Sequence, residues 1–260
     1  MAGRNATLEF LGTGTSTGVP VAGCDCEVCR SRDPRDNRLR SSALISHGHT
    51  NVIIDTGPEF RMQCLRAGIM HLDAVLITHD HADHLHGIDD LRAFSKFQRR
   101  VLPVWANKPT LQGIASRFAY IWNPSQIGGG LPELTLHHAG KPFRAAGLDF
   151  TPVPILHGRL PILGFRIGDL AYLTDVSEIP EESLPLLEGL GTLILSCVRY
   201  RAHRTHLNIA GVKRISKRLR PGRTLLTHLT HYFSHEDLLA EFAGTDIAPA
   251  FDGMQISIAL

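Results

Sequence analysis

Residues 73–87, DAVLITHDHADHLHG, constrain this chain more than any other stretch. The apolar run VLIT reads as a buried strand that leads straight into His79, His81, Asp83 and His84. Imidazoles and a carboxylate on one strand-to-helix loop can converge on a metal without closing a long loop, and that donor chemistry suits zinc or manganese. Capping of the following helix would explain Asp83. It does not explain three histidines in six residues.

Three later strand-like runs end in the same kind of side chain. VPILH ends in His157, LAYLTD in Asp175, and LLTHLTH carries His228 and His231. A lone polar residue at a strand end is ordinary, but its recurrence after the His79 cluster is not. The chain has 15 histidines in 260 residues, well above ordinary usage. A second grouping of metal-type donors stands in GCDCEVCR, where Cys24, Cys26 and Cys29 lie within six residues. A zinc site closed by protein takes four ligands, so three thiols ask for a fourth. The other two cysteines, Cys64 and Cys197, adjoin apolar runs and read as small buried hydrophobes.

The rest of the chain sets bounds. A hydrophobic content of 43% with 20% charged residues fits a globular protein, and a net charge of +2 is too small to indicate a nucleic acid or membrane partner. MAGRNATLEF has no apolar core of signal-peptide length, and no run approaches a membrane span, so a cytoplasmic setting is expected. There thiols stay reduced, and clustered cysteines point to metal. Short β-branched runs (TLEFLG, SALIS, NVIID, DAVLITH, LDFTPVPI, FRIG, LAYLTD, TLILSC, RTLLTH, MQISIAL) read as strands. Between them PEFRMQCLRAG, IDDLRAFSKF, NIAGVKRISKRL and SHEDLLAEFAG read as helices, the last opened by a capping box of Ser234 and Asp237. Two halves, about 1–130 and 131–260, each carry strands followed by helices, which suits two packed mixed sheets with helices outside. Region 94–130, with Phe118, Tyr120, Trp122 and the IGGG of 127–130, is the least periodic and reads as a partly helical insertion able to wall a pocket.

The order FLGTGTSTG, IIDTG, HDHADH, LH, LTD and LTH resembles the metallo-β-lactamase fold superfamily, over residues 8–256. The GCDCEVC clip, the LTHLTH pair and the terminal FDGMQI resemble most closely its PhnP-type phosphodiesterases, which hydrolyse 5-phosphoribosyl 1,2-cyclic phosphate in phosphonate breakdown. The resemblance implies an α/β fold, a metallo-β-lactamase-like αββα sandwich, as one domain over 1–260. It implies a dinuclear site of Mn or Zn in which His79, His81 and His157 hold one ion, Asp83, His84 and His228 the other, and Asp175 bridges. It places Asp55, in the middle of IIDTG, behind the ligands. It makes His231 the fourth ligand of a structural zinc with Cys24, Cys26 and Cys29, and it implies a homodimer. A catalytic histidine stands just before a helix in the resembling family. His206, before LNIAGV, matches it better than His203, and Asp83 and Asp175 join it in the implied catalytic set.

The chemistry expected from this set is hydrolysis of a small, cyclic phosphodiester. Two metals about 3.5–4 Å apart share a hydroxide and hold both the attacking and leaving oxygens, while His206 gives the leaving oxygen its proton. Two other readings share parts of the pattern. A tRNA 3′-processing nuclease uses the same core but grips tRNA with a long basic, glycine-rich arm. None is visible here, and KRISKRLRPGR (213–223) reads as a solvated helix face. A PqqB-like binding or carrier protein shares the cysteine clip, but not the full H-x-H-x-D-H set that this chain carries.

Overall fold

The computed structural model describes residues 5–124 and 130–260, so residues 127–129 of the IGGG stretch lie outside the described residues. β1 (Asn5–Gly12), β2 (Ser42–His47) and β3 (Thr50–Ile54) open the fold, followed by α1 (Phe60–Arg66), β4 (Ala74–Leu76), α2 (Ala82–Leu85), α3 (Leu91–Gln98), β5 (Leu102–Ala106), α4 (Lys108–Arg117) and β6 (Leu134–His138). Then come β7 (Phe143–Ala145), β8 (Leu148–His157), β9 (Leu160–Ile167), β10 (Leu170–Leu173), β11 (Thr192–Ser196), α5 (Ile209–Leu219), β12 (Arg223–Thr227), α6 (His235–Glu241), β13 (Ile247–Pro249) and β14 (Gln255–Ala259).

The strands make two seven-stranded sheets, β14-β1-β2-β3-β4-β5-β6 and β13-β12-β11-β10-β9-β8-β7. Each sheet is half antiparallel and half parallel: β14 through β3 pair antiparallel and β3 through β6 parallel. In the other, β7 through β10 pair antiparallel and β10 through β13 parallel. Between the sheets Phe10, Ile45, Ile54 and Leu76 meet Phe150, Phe165, Tyr172 and Ile194. On the outer face of the first sheet Ile53, Val75 and Val104 pack with Phe60, Leu91 and Ile114 of the helices. On that of the second, Leu193, Leu195 and Leu226 pack with Val212, Leu238 and Phe242. Full burial of such a side chain contributes about 1.5–3 kcal/mol, so the three apolar layers hold the stack together. The result is the expected αββα sandwich.

Local signals act as the sequence suggests. Pro58 sits in the turn before α1, and Gly68 follows it with φ of 63°. Ser234 and Asp237 form a reciprocal capping box at α6. The basic face of α5 is solvated and ion-paired, Lys213 with Glu241 and Arg218 with Glu181. No described helix is long and apolar enough to cross a membrane.

Two expectations need correction. The sheets do not divide near residue 131: β6 belongs to the first sheet, and β14 returns to it, with Asn5 opposite Ala259. The 94–130 region is not only a helical insertion, because it supplies β5, an interior strand whose Leu102, Val104 and Ala106 are buried. Pro103, which cannot donate a ladder hydrogen bond, masks that strand in the sequence.

Candidate metal centre

The site lies where the carboxyl ends of strands from both sheets meet. Asp55 follows β3, His79 follows β4, His157 ends β8, Asp175 follows β10, and His228 follows β12. Asp55, Asp175 and His228 have φ of 63°, 55° and 53°, in the left-handed region that non-glycine residues rarely use. Each chain turns sharply as it leaves its strand, and the turn swings the side chain into a shared cleft. Holding a residue there costs about 1 kcal/mol or more, a strain typical of functional sites.

The donor atoms gather in two groups. His79, His81, His157 and Asp175 form one, and Asp83, His84, Asp175 and His228 the other; within each, one donor atom per residue lies within 4.8 Å of the rest. Asp175 belongs to both. Its Oδ2 is 3.7 Å from His79 Nε2 and 3.4 Å from His84 Nε2, and its Oδ1 is 3.0 Å from His228 Nε2. Asp83 Oδ2 lies 3.3 Å from His84 Nε2 and 3.4 Å from His228 Nε2. Three of the rings are held from behind through Nδ1: His79 by Thr78 Oγ1 at 3.0 Å, His84 by Asp55 Oδ2 at 2.7 Å, and His157 by the carbonyl of Thr205 at 2.7 Å. Their Nε2 atoms therefore face the centre, where those of His79 and His84 are buried without a hydrogen-bond partner. An orphaned buried ring nitrogen is costly unless something else takes its lone pair. These imidazoles and carboxylates fit a divalent metal, with carriers behind the rings of the kind that orient metal ligands.

Electrostatics agree. Burial, then the neighbouring His84, push His79 far below the usual imidazole range, which keeps its ring neutral. Burial opposes the charge on Asp83, yet hydrogen bonds to His228 and His84 outweigh it and hold the carboxyl far below its usual range. Asp175 is likewise buried, and His228 and His84 keep it ionised. Both carboxylates are thus charged among clustered rings.

Asp55 is fully buried rather than a solvent-facing turn residue. Besides His84, it accepts the backbone N–H of Thr78 at 2.8 Å and the Thr78 hydroxyl. Thr78 was not singled out in the sequence, although a hydroxyl as the last residue before His79 was a readable signal. His206 stands over the site, its ring 4.6 Å from that of His157 and stacked on His228 at 5.2 Å. Its Nδ1 is buried and unpaired, and burial pushes its pKa down to about 3. His203 is exposed; its Nδ1 accepts the backbone N–H of Thr205.

Away from this cleft, Cys24, Cys26 and Cys29 put their sulfurs 3.3, 3.5 and 3.4 Å from His231 Nδ1. A tetrahedral zinc with ordinary bond lengths separates sulfur from nitrogen by roughly 3.6 Å. Between His228 and His231, Leu229 exchanges backbone hydrogen bonds with Thr13 and Thr15, which ties the clip loop to the strand end of the cleft.

Two donor groups sharing one aspartate, at the strand ends of an αββα sandwich, define a metal-binding hydrolase fold. The chain belongs to the β-lactamase superfamily: the model of the Beta-lactamase superfamily domain matches residues 50–229. The PhnP-type resemblance holds as well. A solved structure described as a new diphosphatase from the PhnP family is 39% identical, covers 98% of this chain and 99% of its own, and superimposes with a TM-score of 0.91. A Porphyromonas gingivalis (strain W83) protein named octanoyltransferase is 39% identical over 96% of this chain and 51% of its own length. Ribonuclease BN of Erwinia tasmaniensis is 28% identical over 63% of this chain and 49% of its own. The chain thus spans about half the length of these two curated relatives. Zinc-bound PqqB from Methylobacterium extorquens, at 17% identity and a TM-score of 0.75 over 96% of this chain and 99% of its own, shares the fold.

Proposed function

We propose that this chain is a phosphoric diester hydrolase that works with two divalent ions, Mn or Zn, on a small, cyclic phosphodiester such as 5-phosphoribosyl 1,2-cyclic phosphate. The observation that carries the proposal is Asp175, which belongs to both donor groups and so suits a pair of ions rather than two separate ones. His79, His81 and His157 serve one ion and Asp83, His84 and His228 the other. Cys24, Cys26, Cys29 and His231 hold a structural zinc, and 1–260 acts as one hydrolase domain. When bound, such a pair of ions supplies Lewis acidity and a nucleophile from water at neutral pH. The protein's part is to set the ions' separation through Asp175, to fix ring tautomers through Thr78, Asp55 and Thr205, and to move a proton at His206.

His206 is neutral at pH 7 on its own because burial disfavours its charge. A phosphate anion brought beside it makes the ring more basic. The ring can then carry a proton to the departing oxygen, help worth roughly 10²–10⁴ in rate.

The diphosphatase name of the PhnP-family structure supports chemistry at phosphorus, and that likeness runs the length of both chains. The octanoyltransferase name belongs to a protein of which this chain covers 51%, so it weighs less. The test is a hydrolysis panel of cyclic ribose phosphates, 2′,3′-cyclic nucleotides, a nucleoside diphosphate, bis(p-nitrophenyl) phosphate, a thioester and pre-tRNA, each with and without chelator. Chelator-sensitive turnover of a cyclic diester above the others is expected. Preference for the thioester, the diphosphate or pre-tRNA would replace the cyclic-diester reading.

A further inference from the structure

We propose that helix α4 is an outer clamp on the metal loop, and that Arg117 is a positioning residue for metal capture by the His79, His81, His157 and Asp175 group. The inference rests on the reading that this group holds a metal, and it assigns a task to the region that the sequence presents as an insertion.

His81 is the ligand-type ring with the least support. His79 is held from behind by Thr78 and His157 by Thr205, whereas among the described residues no hydrogen bond holds the His81 ring. His81 is also the exposed member of its group. Its placement therefore depends on the backbone just before it, at Asp80. Asp80 belongs to neither donor group. One guanidinium nitrogen of Arg117 donates to the Asp80 carbonyl at 2.5 Å and lies 2.8 Å from Asp80 Oδ2. Main chain and side chain of the loop are thus tied to one point on α4.

Gly113 completes the clamp. It lies one turn before Arg117 on the same helix face. A Cβ at Gly113 would overlap the Asp80 carboxylate, with Cγ at 3.1 Å and Cβ at 3.2 Å, so an alanine there would displace the Asp80 side chain. The helix is a firm anchor. Asn107 caps it by accepting the N–H of Thr110 at 2.9 Å and reaches the carbonyl of Pro161 at 3.2 Å, while Ile114 is buried in the outer core. An ion pair with Arg117 side-chain exposure of 44% adds little to fold stability, so its consequence is geometric.

The test uses full-length protein stripped of exchangeable metal by mild chelation and titrated with Mn²⁺ by calorimetry, beside melting of the same metal-free samples. Wild type, Arg117→Ala, Arg117→Lys and Gly113→Ala are compared. In Arg117→Ala and Gly113→Ala one of two Mn²⁺ equivalents is expected to weaken roughly 10–100-fold, as for other groups that orient metal ligands. Arg117→Lys should recover part of the loss, and metal-free melting of the two Arg117 variants should stay at the wild-type value. Wild-type affinity for both equivalents in Arg117→Ala overturns the clamp. So does a fall in metal-free melting that tracks the loss of affinity, since that marks an ordinary structural contact. A wild type that takes up neither Mn²⁺ nor Zn²⁺ overturns the metal reading itself.

Discussion

Replacing Asp55 by asparagine tests how the cleft orients His84 for metal. Asp55 Oδ1 accepts the N–H of Thr78 at 2.8 Å, and Oδ2 accepts from His84 Nδ1 at 2.7 Å. The backbone there has φ of 63°, which asparagine tolerates, so the exchange leaves the turn unstrained. The amide oxygen keeps the bond to Thr78. The amide nitrogen then faces His84 Nδ1 donor to donor, and relief requires the proton to move to Nε2, the atom that must stay free for metal. A hydrogen bond to a buried charged group contributes about 1.5–3 kcal/mol, or 10- to 150-fold in an equilibrium. Asp55→Asn should therefore weaken one metal equivalent roughly 10–100-fold, with turnover falling in parallel at limiting metal and recovering in excess. Calorimetric titration of chelator-stripped protein, paired with rate against metal concentration, reads both. Wild-type affinity in a folded Asp55→Asn protein would refute the claim that Asp55 sets the His84 tautomer.

Other expectations concern separate parts of the molecule. Cys26→Ser should lower the melting temperature and release about one zinc per chain while leaving metal preference in the cleft unchanged, as elemental analysis and melting would show; a metal-free clip in fully active protein contradicts it. His206→Ala should keep its metal and fold but lose roughly 10²–10⁴ in rate on diesters with poor alkoxide leaving groups, and much less on p-nitrophenyl esters; equal losses on both would make it a positioning residue. Burial and the adjacent Arg38 push His235 down to about 4, so the unfolded chain binds the extra proton between about pH 6.5 and 4. Stability should then fall with falling pH across that window. His235→Gln should remove about 1 kcal/mol of that fall in denaturant titrations, and an unchanged fall would rule His235 out as its source.

The parts of this molecule that were legible in sequence are those where chemistry is dense and local. His79 to His84 lie within six residues, and the cysteine clip within another six, so spacing alone marks them. His157, Asp175 and His228 were legible only as polar ends of apolar runs, because what joins them is the crossing of two sheets. Less of the architecture could be read where pairing is not local. The alternation of β14 suits any sheet edge, and nothing near it names β1 as partner. The interior strand β5 was hidden by Pro103, and β13 is only three residues long. Nor could sequence show that Asp55, Asp175 and His228 share a left-handed turn, since neither aspartate nor histidine announces it as glycine would. Nothing in the arginine-rich stretch RSRDPRDNRLR marks Arg38 as different from its neighbours, yet it is buried, donating to Thr13 and to the carbonyl of Ala250.

The shared aspartate is the point on which the dinuclear reading turns, and metal-dependent turnover measures it directly. Chelator-stripped wild type and Asp175→Ala would be titrated with Mn²⁺ or Zn²⁺ while hydrolysis of bis(p-nitrophenyl) phosphate is followed and bound metal counted. Activity that appears only as a second equivalent fills, and is lost with both equivalents in Asp175→Ala, is the expected result. Full turnover at one equivalent or none, or an Asp175→Ala protein that keeps two metals and near-normal turnover, would contradict it.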